Sequence, residues 1–140
     1  MNSIPMLRGP RRQDRRTPKV FFDKLDARFN FTLDGAATKA NRLTPNFSSR
    51  VHPLNWHGER VFCNPPWGNI PPFIELASTA DLAVVLVPAR VNSRWFHRAL
   101  ALGAKPEYWQ GKLSVSGPWN SPIDCLLLIF GKLSDYGEKR

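Results

Sequence analysis

Apolar positions divide this chain into alternating helical and extended segments. After Thr17-Pro18, the residues Val20, Phe21, Leu25 and Phe29 fall near one face of a helix over Lys19–Phe29. Threonine suits a helix cap and proline the first turn, so the pair predicts where this helix begins. Phe31-Thr32-Leu33-Asp34 reads as a short strand ending in a carboxylate, with a small-residue turn, Gly35-Ala36-Ala37, behind it. Periodicity is poor from Thr38 to Arg60. Val61-Phe62-Cys63 is the next strand, and Pro72 to Thr79 predicts a short helix with Ile74 and Ala77 inward. Leu82 to Val87 is apolar without interruption, as in a strand covered on both faces. Ser93 predicts the cap of a helix through Leu102, with Trp95, Phe96, Ala99 and Leu100 apolar and Gly103 as its stop. Tyr108-Trp109 and Lys112 to Ser116 suggest short strands, and Cys125 to Phe130 a last buried one.

This order predicts an α/β fold with a mostly parallel sheet, flanking helices and right-handed crossovers. The interval from Asp34 to Val61 is short for two full strand–helix units, so the expected sheet is trimmed to five or six strands. A length of 140 residues fits one domain. Residues 16–133 form the expected domain, 1–15 a basic, flexible arm and 134–140 a polar tail. No apolar stretch approaches the roughly 20 residues of a membrane helix, and the first residues do not resemble a secretory leader. The expectation is a cytoplasmic protein with no membrane partner. Cys63 and Cys125, both inside apolar runs, read as buried thiols. A single buried bridge is the alternative.

Charge changes the picture. Lys and Arg number 20 against 11 Asp and Glu, a net +9, which favours a polyanion such as nucleic acid. Arg8, Arg11, Arg12, Arg15 and Arg16 crowd the arm, with Asp14 its only acid. They suit phosphate contacts with a steep salt dependence; a solvated tail is the alternative.

The sharpest chemical feature is Val61-Phe62-Cys63-Asn64-Pro65-Pro66-Trp67-Gly68. In an open α/β sheet, ligands sit beyond the carboxyl ends of the strands, which is where Asn64 falls. The amino group of adenine is a poor nucleophile because its lone pair is delocalised into the ring. Two acceptors drawing on its N–H groups would free that pair. The Asn64 side-chain oxygen and the Pro65 carbonyl supply them, and two prolines stiffen the loop. Trp67 offers a flat face to a flipped base, worth about 1–3 kcal/mol. The bland alternative is a rigid turn with a packed tryptophan.

With these residues in place, the chain resembles the phage-type, Dam-like DNA N6-adenine methyltransferases over roughly Arg16 to Gly131. The likeness runs in order through Thr17-Pro18, Phe21-Phe22, Leu25, Phe29 to Ala37, Leu54-Asn55-Trp56 and Val61 to Trp67. It continues through Val87-Pro88-Ala89-Arg90, Trp95-Phe96-His97 and Gly111-Lys112-Leu113 to the last apolar strand. The resemblance implies a Rossmann-like class I methyltransferase fold, S-adenosylmethionine as cofactor and adenine in DNA as substrate. It implies a catalytic loop at Asn64, Pro65, Pro66 and Trp67, where the family usually has tyrosine in the last place. Thr17, Pro18, Asp34, Gly35, Ala36 and Ala37 match cofactor-side segments. His52-Pro53 departs from the family, which often has an acidic residue two before Leu54. Gly35-Ala36-Ala37 is also far from a full glycine loop. The same loop serves other planar amines, so methylation of RNA or of protein glutamine is an alternative. A non-catalytic DNA-binding protein on a decayed methyltransferase fold is another.

Arg90, Arg94 and His97 are candidates for the substrate cleft, and Lys112 for the DNA backbone, each against the alternative of an ordinary surface residue. His52, His57 and His97 lack metal-ligand spacing, so no metal is expected. Cys63 invites comparison with cysteine nucleophiles but should point into the core. Trp56, Trp95 and Trp109 read as packing residues, with Trp119 the exception that could stack on a base.

Overall fold

The computed structural model describes residues 17–49, 55–109 and 124–131. The elements are α1 (Lys19–Phe29), β1 (Leu33–Ala37), β2 (Phe47–Ser49), β3 (Arg60–Cys63), α2 (Pro71–Ala77), β4 (Leu82–Pro88), α3 (Arg94–Ala101), β5 (Lys105–Glu107) and β6 (Cys125–Gly131). The six strands form one mixed sheet in the order β2-β1-β3-β4-β6-β5. β2, β1, β3 and β4 are parallel neighbours. β6 lies antiparallel between β4 and β5. Five strands therefore share one direction and β6 alone opposes them.

Pairing register carries the period-2 alternation across the sheet, so each face is continuous. Val61, Cys63, Ala83, Val85, Val87, Leu126, Leu128 and Phe130 line one face, under Phe73, Ile74 and Ala77 of α2 and Phe96 and Ala99 of α3. Phe62, Leu82, Val84, Leu86, Leu127 and Ile129 line the other, under Phe22, Leu25 and Phe29 of α1. β4 is buried along its whole length, which is why its sequence shows no alternation. Bidentate ion pairs join α1 to the sheet edge and α3 to its neighbour α2. Arg28 of α1 holds Glu107 of β5 at 2.6 and 2.8 Å. Arg98 of α3 holds Glu75 of α2 at 2.7 and 3.0 Å.

Several expectations change. The sheet is parallel from β2 through β4 but not throughout, because β6 enters antiparallel between β4 and β5. A strand covered on both faces carries no pattern that reveals its direction. In α1 the buried face is Phe22, Leu25 and Phe29, while Val20 is 56% exposed. Thr17 makes no helix cap: Pro18 is the N-cap residue and no side chain caps α1. Gly35, Ala36 and Ala37 are not a turn after the first strand; they are most of it. β2 lies in the stretch without periodicity, its three residues too short for a pattern. The strand expected at Tyr108-Trp109 is instead β5, Lys105–Glu107, where the Arg28 pair anchors it. Tyr108 is exposed, and Trp109 packs on Phe21 with ring centroids 5.4 Å apart. The helix at Ser93 starts as expected, with the serine hydroxyl accepting the Phe96 N–H, and Gly103 follows it with φ 99°. The arm, the tail and the strand expected at Lys112 to Ser116 lie outside the described residues. No helix among the described residues is long and apolar enough to cross a membrane.

Candidate active site

Parallel strands bring their carboxyl ends to one edge of the sheet, so the segments after β1, β3 and β4 meet there. At the end of β3, Cys63 is fully buried and Asn64 emerges half-buried. The Asn64 Nδ2 group donates to Thr17 Oγ1 at 3.1 Å, across 47 residues of sequence. An amide whose nitrogen is committed this way presents its oxygen elsewhere. Among the described residues Asn64 Oδ1 has no hydrogen-bond partner, and neither has the Pro65 carbonyl. Two acceptors on consecutive residues are thus without a partner among the described residues. The Asn69 N–H donates to the Pro66 carbonyl at 2.9 Å, which closes the loop before Ile70 anchors it in the core.

Trp67 is half-buried against the core face that carries α2 and α3. Its indole Nε1 is buried and has no acceptor among the described residues. Unsatisfied buried donors are uncommon, and among the described residues the Trp56 indole Nε1 is the other one.

Asp34 is 3% exposed. Its Oδ1 accepts the Ala36 N–H at 3.3 Å and its Oδ2 the Leu43 N–H at 3.0 Å. The carboxylate therefore staples the β1–β2 connection. Burial pushes its pKa above the usual 3.8, against the two N–H groups that hold it down. A carboxyl raised on folding binds its proton more tightly folded than unfolded. Its contribution to stability is greatest below the unfolded value of about 3.9 and falls as pH rises through the folded one. Asp34→Asn abolishes that dependence, so denaturant midpoints measured against pH should shift in the variant's favour as pH rises through this window. A constant difference between the two proteins would contradict the buried charge.

Gly35 has a packing role. A Cβ there would lie 2.5 Å from Cζ2 of Trp56 and 2.8 Å from Cγ1 of Val61, so the indole fills the space a side chain would need. Cys63 faces the core, as expected. Burial, with the nearby Asp34 charge, pushes its thiol well above the ordinary range, which makes it no nucleophile. Neither cysteine forms a disulfide; Cys63 is buried and Cys125 partly so.

Arg90 and Arg94 are exposed at the same edge, just after β4 and at the start of α3. His97 is exposed one turn further, its ring edge-on to Phe96 at 5.9 Å. Arg12, Arg15, Arg16, Lys112 and Trp119 lie outside the described residues. Two basic residues not singled out in the sequence join this edge. Arg42 donates to the Lys39 carbonyl at 3.1 Å and stands over the Phe47 ring at 5.7 Å. Residues 38–46, 64–70 and 89–94 contain Lys39, Arg42, Arg90 and Arg94 and no acid. Within a segment without periodicity, nothing marked the first two as neighbours of the site. Trp56 is fully buried and Trp95 partly so, both against the core.

Residues 7–115, well over half of the chain, match the family described as DNA N-6-adenine-methyltransferase (Dam). The chain belongs to that family. The match spans every segment described above from Thr17 to His97. No curated protein and no solved structure gives a significant match.

Proposed function

We propose that this Dam-family protein methylates the N6 amino group of adenine in DNA, with S-adenosylmethionine as methyl donor. The observation that carries the reading is the pair of acceptors, Asn64 Oδ1 and the Pro65 carbonyl, without a partner among the described residues, on a proline-stiffened loop at the carboxyl edge. They accept the two N–H groups of the amine and localise its lone pair, and because they are held in place before the substrate arrives, little reorganisation accompanies the reaction. Pro66 fixes the backbone. Trp67 stacks on the flipped base with its exposed surface. The transferred proton leaves to water, and no strong base is needed.

The residues present fit the proposed cofactor. Thr17 and Pro18 stand beside the clamp through the Asn64 bond, and the Trp67 indole N–H is a buried donor awaiting an acceptor. When bound, S-adenosylmethionine supplies a methyl group made electrophilic by a sulfonium. Pro18, Asp34, Ala36 and Ala37 would hold it, each Asp34 oxygen keeping a lone pair beyond its backbone bond, while the Thr17 hydroxyl is turned to Asn64. Gly35 is left out of this set, since its open side is filled by Trp56.

DNA enters against the basic edge. Arg94 occupies the first turn of α3, where the helix dipole disfavours a cation. An external phosphate offsets that repulsion. Arg90 and His97 extend the same basic surface; Lys112 and the arm residues Arg12, Arg15 and Arg16, which lie outside the described residues, are assigned to phosphate contacts in this reading. The test is incubation with methyl-labelled cofactor and separate pools of DNA, RNA and protein. Label in DNA alone is expected; label confined to RNA or protein would overturn the substrate assignment.

A further inference from the structure

We infer that Thr17 is a positioning residue for Asn64, fixing which end of the amide faces the substrate. This rests on the functional reading above and adds to it a role distinct from cofactor contact. An asparagine amide is nearly symmetric in shape, and turning it by half a rotation exchanges an acceptor for a donor. With Nδ2 facing the amine, the site would meet N–H groups with N–H groups and withhold the acceptor the reaction requires. Thr17 Oγ1 removes that choice by accepting from Nδ2 at 3.1 Å. Thr17 is itself 8% exposed, and the Phe22 N–H donates to the carbonyl of neighbouring Pro18 at 3.0 Å. The hydroxyl is therefore carried by the rigid start of α1. A bond drawn from Nδ2 also polarises the amide and makes Oδ1 a better acceptor. Methyl transfer thus depends on a hydroxyl 47 residues from the loop it orients.

Thr17→Val keeps the shape and removes the acceptor, and Thr17→Ser restores it. Four readouts separate the possibilities: kcat at saturating cofactor and DNA, KM for DNA, cofactor Kd by calorimetry, and the side-chain amide resonances of Asn64 by NMR. The valine variant is expected to lose about tenfold in kcat, the equivalent of one hydrogen bond. Cofactor Kd should stay within about twofold of the wild type, and the thermal midpoint should fall by about 2–4 °C, the scale of one hydrogen bond lost at a buried site. The Asn64 amide protons should lose their protection from exchange, and serine should recover both rate and protection. A wild-type kcat in Thr17→Val overturns the inference, as does a loss confined to cofactor Kd, which would make Thr17 a cofactor contact. Unprotected Asn64 amide protons in the wild type overturn it without any assay of activity. A wild type with protected amide protons that methylates no adenine would instead overturn the functional reading, and the positioning role with it.

Discussion

Asn64→Ala is expected to lower methyl transfer to DNA by about 10²–10³-fold, or about 2.7–4 kcal/mol of barrier, the usual effect of deleting one preorganised polar contact to a reacting group. The loss should appear in kcat, because the acceptor matters most when the amine's lone pair localises and the nitrogen becomes positive. Cofactor binding should persist, and so should the fold. Asn64 is half-buried, and its one side-chain bond among the described residues is to Thr17. Asn64→Asp is the informative companion. It keeps an acceptor toward the substrate, and the Thr17 hydroxyl can reverse to donate to the other oxygen. It should therefore retain more activity than alanine. Steady-state rates with calorimetric cofactor binding check both variants; alanine as active as the wild type would remove Asn64 from the mechanism.

The second large effect concerns stability. Gly35→Ala places a methyl group 2.5 and 2.9 Å from two atoms of the Trp56 six-membered ring and 2.8 Å from Val61. Trp56 is fully buried among core side chains, so it cannot swing into water. Overpacking of this kind costs about 1–3 kcal/mol, occasionally more. Trp56→Ala empties the site instead and should cost about 3–5 kcal/mol. Trp56→Phe should cost far less. It removes an indole Nε1 that is buried without an acceptor among the described residues, and an unmet donor is itself worth about 1–3 kcal/mol. Phenylalanine also lacks the ring atoms that meet the new methyl group. The double variant Gly35→Ala/Trp56→Phe should consequently be more stable than Gly35→Ala alone, a coupling between touching residues. Urea midpoints of the four proteins check this, and strict additivity would show that Trp56 is not what excludes a side chain at position 35.

Residues 35 and 56 also show where sequence reading stops. Gly-Ala-Ala looks like a turn because small residues favour turns, yet here smallness admits a tryptophan from a segment without periodicity. Long-range packing of that sort leaves no local mark. β4 and β6 were legible because covered strands need unbroken apolar runs, and α3 because a serine cap, a paired apolar face and a terminal glycine agree. The antiparallel entry of β6 was not legible, since both faces of that strand are buried whichever way it runs. At the site, Asn64-Pro65-Pro66-Trp67 stood out by its chemistry. Thr17 stood out only as the start of a helix and a family segment. Its bond to Asn64 joins residues far apart in sequence and carries no spacing to detect.

Charge was legible as a total and not as a place. The sequence shows a net +9. Only the topology gathers Lys39, Arg42, Arg90 and Arg94 on the edge that carries Asn64, by aligning the ends of parallel strands.

If the acceptor pair at residues 64 and 65 selects adenine's exocyclic nitrogen, the methyl group has a single destination in DNA. Digesting DNA methylated by the wild-type protein to nucleosides and identifying the modified species by mass spectrometry tests this most directly. N6-methyldeoxyadenosine is the expected product, reduced by about 10²–10³-fold when Asn64 is alanine. A methyl group on a ring nitrogen, on cytosine, or undiminished without the Asn64 side chain would contradict it.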